Sequence, residues 1–161
     1  MRLRTILALG LAFLTPGIAQ AASAGDSGEA RFRALHKELV ETNTTLSEGS
    51  CTIAAEKMRQ RLLAAGYPES DTRIIVAPGF ERQGNLVAQL RGSDPKAPAI
   101  LLLAHIDVVE AKRADWQRDP FTLVEDGGYV YGRGVVDDKA MAAAFVDAFV
   151  RFREEKFRPR H

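Results

Sequence analysis

Apolar side chains recur along this chain first at helical spacing, then at strand spacing, then at helical spacing again. From Ala30 to about Thr44, the positions of Phe32, Leu35, Leu39 and Val40 predict an amphipathic helix. Glu48-Gly49-Ser50 reads as a turn with Ser50 as N-cap. A second helix follows to Ala65, with Ile53, Ala54, Met58, Leu62 and Leu63 on one face. Gly66 and Pro68 stop it in the expected order. The period then shortens. Residues 73–77 and 85–91 read as strands separated by Pro78-Gly79 and a polar turn. Ala99 to Ala104 is an unbroken apolar run, which predicts a strand buried on both faces. Residues 121–124 and 129–131 read as two short strands of a hairpin turning at Asp126-Gly127-Gly128. After Asp137 a third helix is expected through Met141, Phe145, Ala148, Phe149 and Phe152. Helices alternating with buried strands imply an α/β sheet with helices on its faces, and no internal repeat is visible.

Composition narrows the class without deciding it. Of 161 residues, 46% are hydrophobic and 27% charged, an ordinary globular balance. A formal net charge of +1, without a long basic run, offers no electrostatic case for nucleic acid. The one cysteine, Cys51, excludes an internal disulfide and a Cys-based zinc site, and reads as a small half-buried helix residue. His36, among charged neighbours on the first helix, reads as a solvated side chain.

The N-terminus has the layout of a signal peptide. Arg2 and Arg4 precede the apolar run Ile6 to Leu14, Pro16 and Gly17 break it, and Ala19-Gln20-Ala21 supplies small residues for cleavage. The run is short for a membrane span, so residues 1–21 are expected to be removed, with Ala22-Ser23-Ala24 as a second cleavage site and a retained anchor as the alternative. Cleavage changes the balance from 22 basic and 21 acidic residues to 20 and 21, a near-neutral exported protein, secreted or periplasmic. Residues 22–29 then form a flexible lead-in, and residues 30–161 the folded part.

Candidate chemistry gathers at two places. Open α/β sheets bind ligands at the carboxyl ends of their strands, and the buried run ends in Ala104-His105-Ile106-Asp107. Two-residue alternation puts His105 and Asp107 on the same side, where the carboxylate could orient an imidazole that binds metal. Alone, His-x-Asp is a weak signal. About thirty residues on lies Gly132-Arg133-Gly134-Val135-Val136-Asp137-Asp138-Lys139, with two glycines that permit tight turns or close approach. Adjacent carboxylates at a sheet end suggest a cation, whereas an acidic helix N-cap explains the same residues without one. For Asp138 the two readings are balanced.

The runs "LLLAHIDVVEA", "DWQRDPF" and "GGYVYGRGVVDDKA", in that order, resemble the zinc exopeptidase and deacylase family of glutamate carboxypeptidase, aminoacylase, carnosinase, acetylornithine deacetylase and succinyl-diaminopimelate desuccinylase. The resemblance covers roughly residues 30–161. It implies that His105 binds one zinc, that Asp107 is the catalytic-site residue orienting it, that Asp137 bridges two metals, and that the Asp137–Asp138 peptide is cis. It implies packing roles for Trp116, Pro120 and Phe121 and a salt-bridge or loop-anchoring role for Lys139. Arg133 faces the site or pairs with a surface carboxylate. Ala140 and Glu110 depart from the family's commoner glycine and proline, without touching a ligand.

The family's Glu-Glu pair, its later acidic ligand, its late histidine and its smaller domain have no counterpart in these residues. Glu154-Glu155 lies among Arg151, Arg153, Lys156 and Arg158 and reads as a solvated helix end, and His161 is not assigned as a ligand. The expected fold is thus a partial three-layer α/β/α zinc-peptidase catalytic domain, truncated before its later strands and its dimerisation domain. The expected function is amide hydrolysis, exopeptidase or N-deacylase, through water activated by two zinc ions, with cobalt or manganese as alternative metals. The substrate is a small peptide or N-acyl amino acid, and a full-length parent could be homodimeric. By itself the chain is expected to be inactive, and the competing reading is a non-catalytic exported α/β domain with at most weak zinc binding.

Overall fold

The computed structural model describes residues 24–161, and the anticipated signal peptide lies outside them. Three helices, α1 (Ala24–Val40), α2 (Cys51–Ala64) and α3 (Lys139–Glu154), build one layer against two antiparallel hairpins, β1 (Thr72–Ile75) with β2 (Asn85–Ala88) and β3 (Val124–Asp126) with β4 (Tyr129–Tyr131). Among the described residues, no helix is long and apolar enough to cross a membrane.

Helix α1 is described from Ala24, so residues 24–29 of the anticipated lead-in are helical. Glu29 sits one turn before Arg33 and pairs with it at 2.8 Å, which suits an extended helix start. The helix ends at Val40, short of Thr44, because Thr42 turns its hydroxyl back to the Glu38 carbonyl at 2.7 Å. Leu35, Leu39 and Val40 are fully buried, in line with the pattern.

Helix α2 has the expected cap: the Ser50 hydroxyl accepts a hydrogen bond from the Ile53 amide. Ala54, Met58 and Leu62 are buried, whereas Ile53, expected on the same face, is exposed in the first turn. Helix α3 also differs in phase. Its buried apolar positions are Ala142, Ala143, Val146 and Val150, while Met141 is exposed and Phe145, Phe149 and Phe152 are half-buried. Two alanines let α3 approach its neighbours closely, so the small face is the packed one and the larger phenylalanines lie at its margin. Arg31 of α1 clasps α3 from outside through Asp147 at 2.7 Å and Glu154 at 2.9 Å.

The first hairpin is shorter than the apolar pattern suggested. In the second, the leading strand falls at 124–126 instead of 121–124, because Phe121 to Leu123 do not pair, while 129–131 is a strand as expected. In the first, Thr72 pairs with Ala88 and Ile75 with Asn85. In the second, the reverse of direction falls on Gly127 and Gly128, both with positive φ, the requirement of a tight two-residue hairpin turn. The largest departure is residues 99–104. They form no strand, and Ile100, Leu101 and Leu103 are 73, 81 and 79% exposed. A strand is buried on both faces only when neighbours flank it and layers cover it. Among the described residues this run has no hydrogen-bonded strand beside it.

Candidate metal centre

The extended segment 104–108 is held by the polar stretch that follows α1. The Thr44 hydroxyl donates to the Ile106 carbonyl at 2.6 Å, and the Thr44 carbonyl accepts from the Val108 amide at 3.3 Å. This grip on both sides of Asp107 leaves the His105 and Asp107 side chains outside, as two-residue alternation requires. His105 Nδ1 lies 3.4 Å from Asp107 Oδ1 and 3.2 Å from the Asp107 carbonyl oxygen.

The second segment arrives from the glycine-bearing loop. Gly134 adopts φ +80°, and a Cβ there would come within 2.7 Å of Val108, so this position needs both the backbone freedom and the space. His36 steadies the same loop through Nε2, 2.8 Å from the Val135 carbonyl oxygen, and stacks on Phe32. It is therefore a half-buried buttress and not a solvated side chain. Burial pulls its pKa down, more than the Val135 carbonyl and the Glu125 charge raise it.

The loop brings Asp137 Oδ1 to 2.9 Å from His105 Nε2. The histidine thus presents one ring nitrogen to Asp137 and the other to Asp107. Lost hydration lowers the His105 pKa, but hydrogen bonds to Asp137 and the Asp107 carbonyl, with both aspartate charges, outweigh it and leave the pKa raised. The peptide between Asp137 and Asp138 is cis, as the resemblance implied. Asp138 occupies the N-cap position of α3 without capping it; its carboxylate instead lies 3.4 Å from the His105 amide.

The remaining motif residues are structural. Lys139 is fully buried, donates to the Thr42 carbonyl at 2.9 Å, and has its pKa lowered by burial to about 8. It anchors a loop, and among the described residues no carboxylate pairs with it. Arg133 lays its guanidinium over the Trp116 ring, 5.0 Å from the centroid, and among the described residues it pairs with no surface carboxylate. Pro120 is fully buried and its carbonyl accepts from the Arg133 amide at 2.7 Å. Cys51 is half-buried at the start of α2, its thiol pKa pushed up by burial and then by the Asp107 charge. Glu154 and Glu155 pair with Arg31 and Arg151 at the helix end, and His161 Nδ1 faces the Pro98 carbonyl.

The pattern of apolar positions did not reveal Thr42, Thr44 or the Ser47–Glu110 contact. Glu110 accepts from both the amide and the hydroxyl of Ser47, which hold its carboxyl below the usual range. It borders an open cleft of about 450 Å³, with Asn43, Arg113 and Phe121 among its walls. The run Thr42-Asn43-Thr44-Thr45 was the available signal. Three hydroxyls directly after an amphipathic helix suggest backbone capture, not continued helix.

The donor set suits a borderline cation in part. One imidazole nitrogen and one carboxylate oxygen converge at a solvent-open point, the side chains of His105 and Asp137 being 51 and 88% exposed. Among the described residues, no group of three or more His, Cys, Asp or Glu side chains is placed to hold an ion.

Residues 101–161 match peptidase family M20/M25/M40. The resemblance carried by the three motifs therefore holds. The chain is 44% identical over 105 residues to the Beta-Ala-His dipeptidase of Mus musculus, covering 63% of this chain and 21% of that protein. It is 41% identical over 121 residues to the N-fatty-acyl-amino acid synthase/hydrolase PM20D1 of Homo sapiens, covering 75% of this chain and 24% of that protein. The chain thus spans roughly a fifth to a quarter of these relatives. Human carnosine dipeptidase 1 shares its fold with a TM-score of 0.61 and 26% identity, over 81% of this chain and 30% of that structure. The M20 catalytic-domain fold is therefore present in part, even though residues 99–104 lack strand partners here.

Proposed function

We propose that this chain contributes to a metal-dependent amide hydrolase, with His105 and Asp137 as ligands within a dinuclear zinc site and Asp107 orienting His105. The observation that carries the reading is the convergence of His105 Nε2 and Asp137 Oδ1 at 2.9 Å, with Asp107 on the opposite ring nitrogen. Bound there, zinc would polarise an amide carbonyl and lower the pKa of a coordinated water. The chain's own part is orientation. Asp107 fixes which imidazole nitrogen is free to coordinate, and the loop from Gly134 to Asp138 delivers one carboxylate to it. Among the described residues no general base and no third ligand is placed beside His105 and Asp137, so the chain alone is expected to hydrolyse little. The relatives' names, a dipeptidase and an N-acyl-amino acid hydrolase, support a small peptide or N-acyl amino acid as substrate. We further infer export, from the charged, apolar and small-residue order of residues 1–21.

Zinc stoichiometry tests the ligand assignment. A protein containing this region should lose bound zinc on His105→Ala and on Asp137→Ala, and metal content unchanged in both variants refutes it. Export is checked by sequencing the N-terminus of protein recovered outside the cytoplasm, which should begin at Ala22 or just after.

A further inference from the structure

Both proposed ligand segments are tied to the same short stretch, Thr42–Thr44. Thr44 is 2% exposed and binds the backbone on either side of Asp107, through its hydroxyl to Ile106 and its carbonyl to Val108. Two residues earlier, the Thr42 carbonyl takes the ammonium of Lys139, which stands two residues after Asp137. The stretch itself is pinned to both helices that flank it. The Thr42 amide and hydroxyl return to Leu39 and Glu38 of α1, Lys57 of α2 donates to the Thr42 hydroxyl at 2.9 Å, and the Ser50 amide donates to Asn43.

The choice of lysine is informative. An ammonium buried completely against a neutral carbonyl is unfavourable, and an apolar chain of equal length would fill the space with less desolvation. Packing alone therefore does not call for Lys139. A long donor that reaches from the start of α3 to the end of α1 does what a methionine cannot: it fixes the distance between them. Val108 and the Lys139 stem both crowd the space beside Gly134, where a Cβ would come within 2.7 and 3.2 Å of them.

The geometry points to Thr44 and Lys139 as a pair of positioning residues that set the separation of His105 and Asp137 by referring both to the Thr42–Thr44 stretch. The inference rests on the metal reading above, but the separation itself can be measured without metal. In the full chain, an NMR contact between the His105 ring and the Asp137 methylene reports it directly, and competition with a chromophoric chelator reports zinc affinity. Thr44→Val keeps the shape and removes the hydroxyl. It should weaken the contact and lower zinc affinity about tenfold or more. Thr44→Ser should restore both, and Lys139→Met should repeat the loss. Leu62→Ala, which removes core packing remote from the stretch, should lower stability with contact and affinity unchanged. Contact and affinity preserved in both Thr44→Val and Lys139→Met overturn the proposal. A loss that Thr44→Ser fails to restore overturns the part given to the hydroxyl. If a protein containing this region binds no zinc, the metal reading fails for these residues, and the NMR contact alone decides the tether.

Discussion

The three-helix layer and residues 99–104 are both strongly apolar, yet one is buried and the other stands in solvent. Leu35, Leu39, Ala54 and Ala143 are shielded because each helix offers its stripe to another helix described here. Ile100, Leu101 and Leu103 are just as hydrophobic, but among the described residues no neighbouring strand or covering layer receives them. Hydrophobicity states a demand for burial; whether it is met depends on a partner elsewhere in the chain. The candidate site lies on the border between the two regions, its backbone gripped by the first and its side chains open.

The sharpest way to break this contrast is to remove a methyl-bearing side chain from the buried layer. Leu62→Ala should lower unfolding free energy by about 2–5 kcal/mol, read from denaturant midpoints, since the cavity is closed on all sides. A smaller loss would mean the helices can collapse onto the gap. Next in size is the burial of Lys139. Its folded pKa of about 8 lies below the ordinary 10.5, so the unfolded chain holds the extra proton between those values. The native protein should therefore gain stability relative to Lys139→Met as pH rises from 8 towards 10, by up to about 3 kcal/mol. A flat difference curve over that range would remove the buried charge from the account. Ser50→Ala should cost about 1 kcal/mol through the lost cap. Smallest of all, Leu101→Lys should shift monomer stability by less than about 0.5 kcal/mol. It should also reduce self-association in sedimentation experiments, and a core-sized loss at Leu101 would show that the run is covered in solution.

The helices and the second hairpin were legible because their signals are local. Ser50 caps its own helix, and Gly127-Gly128 bends two adjacent strands. The phase of α3 was not legible, since Ala142 and Ala143 are chosen by how closely α1 and α2 approach, while the pattern favours the larger Phe145 and Phe149. The same limit hid the role of Lys139. Its partner lies 97 residues earlier in sequence and is a backbone carbonyl, which carries no residue signature. His36 was misread as solvated because its charged neighbours mark one side of the helix, while its ring turns to the Val135 carbonyl. For the site, alternation and motif order brought out His105, Asp107 and Asp137, and the structure places the three together. The Thr44 hydroxyl that holds Ile106 leaves no mark in the spacing of apolar positions, and its one signal is the run of threonines that follows α1.

The packing of α1 against α3 also has a bearing on how this fold comes into being. Arg31 and Asp147 are 116 residues apart, so the earliest helix described is completed by the latest one. At roughly 5–20 residues per second, ribosomal synthesis leaves α1 waiting on the order of 6–20 s for its partner. During that interval its apolar stripe is adhesive, and closure over so long a separation is slow even once α3 appears. Biogenesis, more than the finished architecture, is the stage at which this chain is most exposed to chaperones, proteases and its own copies.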